Sequence, residues 1–249
     1  MSEDTAIPAA TLILVRERTA GPPELLMVER AAGMAFAGGA LVFPGGRIDE
    51  ADVSIGSFFK LADAAARVAA IRETLEETAI PVGIEPRLPH VSASRLQREL
   101  LNNVHFGSLL NETDSELDLE ALTPFARWVP KFHAKRRFDT LFFLARAPDG
   151  DWTLNTIPGE CAGAEWVTAT EVLERDRAGE VQMIFPTRRV LERLAQHASF
   201  AEMVADAAAY PIEPVTPWVE ERDGERFITI PNDIGYPVTQ EKLQGLWRG

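Results

Sequence analysis

One segment constrains this chain more than any other. Residues 61–78 are nearly all strong helix formers, and their apolar and acidic positions fall on different sides of a helix. Val68, Ile71 and Leu75 recur at helical spacing and can bury one stripe in a core. Pro81 ends the segment, because proline cannot continue a helix. The segment therefore predicts a helix that packs on one side and presents its other side for chemistry.

The second side of this helix is acidic. Glu73, Glu76 and Glu77 stand at spacings i, i+3 and i+4, which places their carboxylates within an arc of roughly 100°. Like charges at this spacing destabilise a helix unless a cation neutralises them, and hard divalent ions such as Mg²⁺ or Mn²⁺ prefer oxygen ligands. Taken alone, an acidic helix face is more often simply solvated, so both interpretations stay open at this point.

A glycine-rich stretch upstream favours the metal interpretation. Five glycines fall within fourteen residues, at Gly33, Gly38, Gly39, Gly45 and Gly46. Glycine amides can approach phosphates closely while an acidic face holds the metal ion that bridges them. The combination predicts a phosphate site between the glycine turn and the helix.

The rest of the chain alternates between strand and helix patterns. Apolar and β-branched runs predict strands at 9–17, 25–28, 125–129, 137–145 and 164–167. Helices are predicted at 92–110, 115–122 and 186–194, and a hairpin is predicted at 218–230 around Asp223 and Gly224. We therefore expect an α/β or α+β fold, as one domain over residues 1–249 with a helical insertion at about 86–123 and a C-terminal extension at about 209–249.

Composition excludes several classes of protein. The 249 residues include 25 Lys and Arg against 38 Asp and Glu, and the formal charge of −13 disfavours nucleic-acid binding. A single cysteine, Cys161, excludes an intramolecular disulfide framework. No apolar run approaches the length of a membrane span, and Glu3 and Asp4 stand where a secretory signal carries basic residues. We therefore expect a cytoplasmic protein that binds neither nucleic acid nor membrane.

The glycine turn and the acidic helix together resemble the signature of the Nudix hydrolases. That signature is a glycine, five residues, an acid, a spacer, and then Arg-Glu-x-x-Glu-Glu-x-Gly-hydrophobe; here it reads Gly46, Asp52 and residues 72–80, preceded by Phe43-Pro44-Gly45. The resemblance implies a sandwich in which a mixed β-sheet packs between helices. It also implies an enzyme that hydrolyses the diphosphate bridge of a nucleoside diphosphate conjugate, by attack of water on phosphorus.

Three departures from the signature are visible. Asp52 replaces a glutamate, so its carboxylate reaches one methylene less far. The spacer from Asp52 to Arg72 holds nineteen residues where seven are usual. Ala79 replaces a glycine, and since the left-handed conformation costs alanine free energy, the exit of the helix is a place where the geometry could differ. All three carboxylates of the helix remain.

We call this signature, from Gly46 to residue 80, the box. Its long spacer resembles the interrupted box of the family branch that includes peroxisomal coenzyme A diphosphatases. Residues 137–143 and Pro186-Thr187 resemble that branch too, as do Leu25-Leu26, Arg30 and Gly39 upstream of the box. Ala35, however, stands where a second arginine is expected, which weakens the case for a 3′-phosphate. The resemblance thus favours coenzyme A or acyl-CoA as substrate, with ADP-ribose, NADH or a dinucleotide as the alternative. A non-catalytic nucleotide-binding module is the remaining hypothesis.

Roles for the box residues follow from the resemblance. Glu73 and Glu77 are expected to bind Mg²⁺ or Mn²⁺, and Glu76 is expected to be a further ligand or a base acting through bound water. Arg72 is expected to orient one carboxylate through a charge-assisted bond. Gly45 and Gly46 would shape the loop, with the Gly46 backbone as a metal ligand or phosphate contact.

Candidates outside the box are less sharply defined. Glu160 is the candidate general base, with an exposed turn acid as the equally good interpretation, and Glu165 is a weaker alternative. Arg30 and Arg137 could each meet a substrate phosphate or form a structural salt bridge. The inserted helices could cover the substrate or form the contact of a homodimer, and periodicity does not distinguish these two uses.

Overall fold

The structure is a computed structural model that describes residues 6–33, 37–130, 137–150, 152–156 and 161–243. Within these residues the strands are, in chain order, β1 (Ile7–Arg16), β2 (Glu24–Arg30), β3 (Leu41–Val42), β4 (Gly45–Arg47), β5 (Ile84–Glu85), β6 (Glu116–Leu117), β7 (Thr123–Trp128), β8 (Phe138–Arg146), β9 (Cys161–Thr168), β10 (Pro214–Val215), β11 (Trp218–Arg222), β12 (Glu225–Thr229) and β13 (Gln240–Lys242). The helices are α1 (Glu50–Gly56), α2 (Ala64–Thr78), α3 (His90–Leu101), α4 (Phe106–Glu112), α5 (Ala169–Arg177), α6 (Phe185–Leu194) and α7 (Phe200–Ala209).

A mixed sheet forms the centre of the molecule. Its hydrogen-bonded order is β10-β7-β8-β1-β2-β3, with β4 paired to β1 and β9 paired to β2. Strands β1 and β8 are parallel, with Ile7 opposite Phe138, whereas β1 runs antiparallel to both β2 and β4. Because β2 and β4 share one edge of β1, the glycine strand β4 is inserted beside the point where β1 and β2 separate.

Side chains on β1 alternate between two cores, as the twofold period of a strand requires. Leu12 and Leu14 join a buried cluster with Val68, Ile71 and Leu75 of α2, and α3 and α4 contribute to the same cluster. The intervening Ile13 and Val15 join a second cluster with α5, α6 and α7. The sheet is therefore packed between two layers of helices, which confirms the predicted fold class.

The predicted helix at 92–110 is wrong in its continuity, because the structure breaks it into α3 and α4. Asn103 adopts the left-handed conformation, with φ of 61°, and turns the chain between the two helices. His105 then caps α4 by accepting a hydrogen bond from the backbone of Gly107 at 3.2 Å. The periodicity of residues 92–110 continues across this break, so it did not reveal the turn.

The predicted acidic helix at 115–122 is also wrong. Residues 116–117 form β6, and only Leu119–Ala121 make a 3-10 turn. The side chain of Asp118 accepts hydrogen bonds from the backbone of Glu120 and Ala121, a local bond that favours a turn over a longer helix. The buried Arg67 of α2 donates to the carbonyl of Leu119 at 2.7 Å and fixes this turn against α2.

The C-terminal hairpin is confirmed. Strands β11 and β12 pair antiparallel around Asp223 and Gly224, both of which have positive φ, and β13 completes a small separate sheet. Tyr236, beyond β12, lies in the second core, where its hydroxyl accepts a hydrogen bond from Trp128 Nε1 at 2.9 Å. None of the helices in the described ranges combines the length and the apolar character needed to cross a bilayer.

Candidate active site

Helix α2 carries the site because its apolar stripe fixes its rotation. Val68, Ile71 and Leu75 have no exposed surface and pack against the sheet, together with Ala10 and Leu12 of β1. Burial of each such aliphatic side chain contributes about 1.5–3 kcal/mol. With that side held in the core, the glutamates on the other side face the glycine strand β4.

The two glycines of β4 bring its backbone directly against two of these glutamates. The backbone N–H of Gly45 donates to Glu77 Oε2 at 3.0 Å. A Cβ atom on Gly46 would lie 2.3 Å from Glu73 Oε1, and a Cβ atom on Gly45 would lie 2.4 Å from the carbonyl oxygen of Ala10. Only glycine allows β1, β4 and α2 to approach one another this closely.

Arg72 connects the acidic side chains of the box. Its Nε and Nη2 donate to the two carboxylate oxygens of Asp52, each at 2.9 Å. Its Nη1 lies 3.0 Å from Glu73 Oε1 and 3.1 Å from Glu76 Oε2, and Nη2 also donates to the carbonyl of Arg47 at 3.1 Å. The guanidinium therefore holds Glu73 and Glu76 side by side.

Asp52 is placed by the first helix of the long spacer. It is the third residue of α1, and its carboxylate accepts the backbone N–H of Asp49 at 2.9 Å, which closes a capping box at the start of that helix. The side chain is fully buried and faces Arg72. Asp52 thus supports the arginine of the box.

Burial and charge oppose one another at this site. Burial raises the pKa of Glu73 to about 7, although the neighbouring Arg72 lowers it and Glu76 raises it further. Burial alone would lower the pKa of Arg72, but its bonds to Asp52 and the charges of Glu73 and Glu76 outweigh that effect and raise this pKa above its ordinary value. Burial therefore favours the protonated form of Glu73, whereas its acidic neighbours keep Arg72 charged.

The carboxylates fit a divalent metal ion by their chemistry. Glu73 lies against Gly46 and Glu77 accepts from Gly45 of the glycine strand, while Glu76 lies beside Glu73 on the same arginine nitrogen. In the part of the chain that the structure describes, no three acidic, histidine or cysteine side chains are already arranged as a metal-binding cluster. The donor set itself consists only of oxygen atoms, which suits Mg²⁺ or Mn²⁺.

The exit of α2 keeps its usual geometry in spite of Ala79. This residue adopts the left-handed conformation, with φ of 61° and ψ of 20°, and its N–H donates to the carbonyl of Leu75 at 2.9 Å. The sequence identified this exit as a place where the geometry could differ, and the structure shows no such difference. Alanine replaces glycine here at a cost in backbone free energy of about 1–2 kcal/mol.

The two candidate arginines outside the box lie at different distances from the glycine strand. Arg30 ends β2 at a bulge, where its backbone bonds with Gly39 and Ala40 of the glycine-rich stretch, each at 3.0 Å. Arg137 precedes β8. Ala10 is the residue of β1 that pairs with Gly46, and in the register of β1 and β8 Arg137 lies four positions from it, or about 13 Å along the strands. Its Nε is buried without a hydrogen-bond partner among the described residues. Arg30 is therefore beside the glycine-rich stretch, whereas Arg137 is farther along the sheet.

Of the two candidate bases, Glu160 and Glu165, only Glu165 lies within the described residues. Glu160 lies outside the described residues, as does Ala35. Glu165 is paired with Arg175 of α5 at 2.8 Å, on the face of the sheet opposite α2, so the strand directs it away from the site. Asp139 of β8, which is not a candidate base, pairs with Arg127 of β7 through two bonds of 2.8 and 2.6 Å.

Sequence reasoning missed one buried polar residue beside the site. Gln97 of α3 is fully buried and donates to the backbone carbonyl of Glu76 at 3.1 Å. The available signal was its position: it occupies the apolar stripe of α3 that also includes Ala93, Leu96 and Leu100. A glutamine at such a position must find buried partners, which sequence alone does not name.

Comparison with known proteins gives a consistent result. The family model of the NUDIX domain matches residues 6–185. Human acyl-coenzyme A diphosphatase NUDT19 is 26% identical over an alignment that covers 85% of this chain and 74% of that protein. The crystal structure of a NUDIX hydrolase from Alicyclobacillus acidocaldarius is similar with a TM-score of 0.71 and 26% identity, covering 82% of this chain and 97% of that one. This chain therefore belongs to the Nudix hydrolases and is a pyrophosphatase that cleaves a diphosphate bond.

Proposed function

We propose that this enzyme hydrolyses the diphosphate bridge of coenzyme A or acyl-CoA, giving 3′,5′-ADP and 4′-phosphopantetheine or its acyl derivative. The observation that carries the proposed chemistry is the packing of Glu73 and Glu77 directly on the Gly45–Gly46 backbone. The choice of substrate is supported by the interrupted box and by the human relative named as an acyl-coenzyme A diphosphatase.

Glu73, Glu76 and Glu77 are the residues proposed to hold Mg²⁺, or Mn²⁺ in its place. Nudix hydrolases in general use divalent metal ions, which supports this assignment. When bound, such an ion neutralises phosphate oxygens and lowers the pKa of a coordinated water. Burial is the main cause of the raised pKa of Glu73, and a divalent ion bound there would stabilise the charged form of this carboxylate.

The chain's own residues then orient the reactants. Arg72 keeps the Glu73 and Glu76 carboxylates adjacent, and the Gly46 backbone offers a metal or phosphate contact. In the proposed step, water attacks one phosphorus, its proton passes to the carboxylate of Glu76 or of Glu160, and the bond from that phosphorus to the bridging oxygen breaks. The departing phosphate takes the electron pair of that bond. Most of the catalysis comes from positioning and charge neutralisation.

Arg30 and Arg137 remain the proposed cations for the substrate's phosphates. The place of Arg30 beside the glycine-rich stretch supports contact with a phosphate that enters that loop. The Nε of Arg137, which has no partner among the described residues, supports a role for an anion at that end of β8. A homodimer and a cytoplasmic location remain predictions from the sequence.

A second candidate keeps the chemistry and changes the substrate to ADP-ribose, NADH or a dinucleotide. It is favoured by Ala35, which stands where the coenzyme A branch has a second arginine. Because that arginine is absent here, a substrate that lacks the 3′-phosphate gives up less binding energy than it would in a site that has the arginine.

A substrate panel tests both candidates. The purified protein is incubated with Mg²⁺ and, separately, with CoA, acetyl-CoA, ADP-ribose, NADH and a diadenosine polyphosphate, and products are separated by chromatography. We expect 3′,5′-ADP from CoA or acetyl-CoA, with no product in EDTA. Preferential cleavage of ADP-ribose or NADH establishes the second candidate, and cleavage of no panel member contradicts both.

A further inference from the structure

Gln97 occupies an unusual environment for an amide side chain. It has no exposed surface, and the neighbouring inward positions of α3 are the apolar Ala93, Leu96 and Leu100. A buried amide costs free energy unless its polar atoms find partners. The Nε2 of Gln97 has two such partners, whereas its Oε1 is buried without one among the described residues.

Those contacts join two segments that are far apart in sequence. Nε2 donates to the carbonyl of Glu76 at 3.1 Å and to the carbonyl of Asn155 at 2.5 Å. Because both partners are carbonyl oxygens, the nitrogen end of the amide must face them. Gln97 thus links α3, α2 and the segment 152–156 through a single side chain.

The carbonyl of Glu76 accepts a hydrogen bond from outside its helix. Helix α2 ends at Thr78, and the last carbonyls of a helix lack intrahelical partners. The N–H of Ile80, which would continue the pattern, bonds instead to the hydroxyl of Thr78 at 3.3 Å. Gln97 supplies the donor at the turn that carries Glu76 and Glu77.

Helix α3 also holds the other end of the same segment. The ring of His90, at the start of α3, stacks on Trp152 with a centroid distance of 5.4 Å and an interplanar angle of 18°. The N–H of Asn155 in turn bonds to the carbonyl of Thr78 at 3.4 Å. In the sequence, the candidate base Glu160 follows Asn155 by five positions.

We propose that Gln97 is a positioning residue, which holds the segment 152–156 against the last turn of α2 and so sets the placement of the groups that act on the diphosphate. In this role, the inserted helix α3 fixes the segment 152–156 relative to the last turn of α2. This inference rests on the proposed roles of Glu76 and Glu77. It extends them, because Gln97 itself touches neither metal nor substrate and acts through two backbone carbonyls.

The variant Gln97→Met tests the proposal, because it keeps the length of the side chain and removes both donated hydrogen bonds. Gln196→Met is the matched control, since Gln196 is exposed and its side chain donates to the nearby carbonyl of Arg193 at 3.3 Å, a bond within one helix end. Two properties are measured below the unfolding transition: kcat and KM on the substrate that the panel identifies, and hydrogen exchange of residues 152–156. We expect faster exchange in this segment, a loss in kcat of about 10- to 100-fold and a KM within a few-fold of wild type.

The outcomes separate positioning from stability alone. Faster exchange with an unchanged kcat overturns the proposal, and so does unchanged exchange. If wild type cleaves no panel member, the proposed function fails, and Gln97 is then judged by exchange together with Mn²⁺ affinity from electron paramagnetic resonance, which must weaken for the proposal to stand. If Gln97→Met does not fold, Trp152→Leu loosens the same segment from its other end and is judged by the same measurements.

Discussion

Asp52 and Arg72 form a bidentate, buried ion pair across nineteen intervening residues. Both bonds are 2.9 Å long, the Asp52 side chain has no exposed surface and the Arg72 side chain retains 10%. The intervening residues fold into α1, a turn and the first two turns of α2, so the chain reaches Arg72 from a separate helix. The interrupted box therefore preserves the support of its arginine, and its extra length is accommodated outside the site.

Loss of this pair is expected to destabilise the protein strongly. Asp52→Asn removes the buried carboxylate that pairs with Nε and Nη2 of Arg72. Glu73 and Glu76 stay beside Nη1, but removal of one partner of a buried pair still costs about 3–5 kcal/mol. The free energy of unfolding from urea denaturation measures the change. Glu112→Gln is the control, because its pair with Arg95 is 3.3 Å long with 48% and 56% of the side chains exposed, and we expect it to cost less than about 1 kcal/mol. Equal losses in the two variants would contradict this prediction.

Gly46→Ala is expected to impair catalysis through steric displacement. The new methyl group would lie 2.3 Å from Glu73 Oε1, so the carboxylate or the strand must move. We expect kcat to fall by about tenfold or more, because small misplacements of catalytic groups are costly. Gly163→Ala on β9 is the matched control: no atom lies within 4 Å of its added Cβ, and its kcat should match wild type. An active Gly46→Ala variant would show that Glu73 need not lie against β4.

Glu77→Gln separates an enzyme from a binding module. The substitution keeps an oxygen for the N–H of Gly45 and removes the negative charge, so the local packing should survive. We expect kcat to fall by about 100- to 1,000-fold, as for loss of one group that stabilises developing charge. Calorimetric titration with ADP should still detect binding. Glu174→Gln, at an exposed position of α5, is the control, and a variant Glu77→Gln with wild-type kcat would exclude Glu77 as a metal ligand.

Tyr236 is expected to make the protein sensitive to alkaline pH. Burial raises the pKa of this phenol from its ordinary value of 10 to about 12. The folded protein therefore holds the proton more tightly than the unfolded chain does, and this contribution to stability is present below pH 10 and is lost as the pH rises to 12. The free energy of unfolding should fall over this range by more in wild type than in Tyr236→Phe. Identical pH profiles would contradict the burial of the hydroxyl against Trp128.

Local patterns along the chain determine much of the site. The 3.6-residue period places Val68, Ile71 and Leu75 on one side of a helix and the three glutamates on another, because helix geometry depends only on spacing along the chain. The turn residues Asp223 and Gly224 likewise predict the C-terminal hairpin, since these residue types accept the positive φ that a tight hairpin turn requires. Such features are encoded within a few residues of one another.

Only the tertiary structure decided the remaining relationships. The partner of Arg72, the donor to the Glu76 carbonyl and the direction of Glu165 all depend on segments that approach through packing of the sheet and its helices. The break at Asn103 is of the same kind, because the apolar period continues across it while the two helices pack differently. Sequence by itself thus determined which side chains share a helix face. The packed fold determined which backbone groups and which opposite charges those side chains contact. The reason is that hydrogen bonds and ion pairs depend on distances between distant segments, which are set only by tertiary packing.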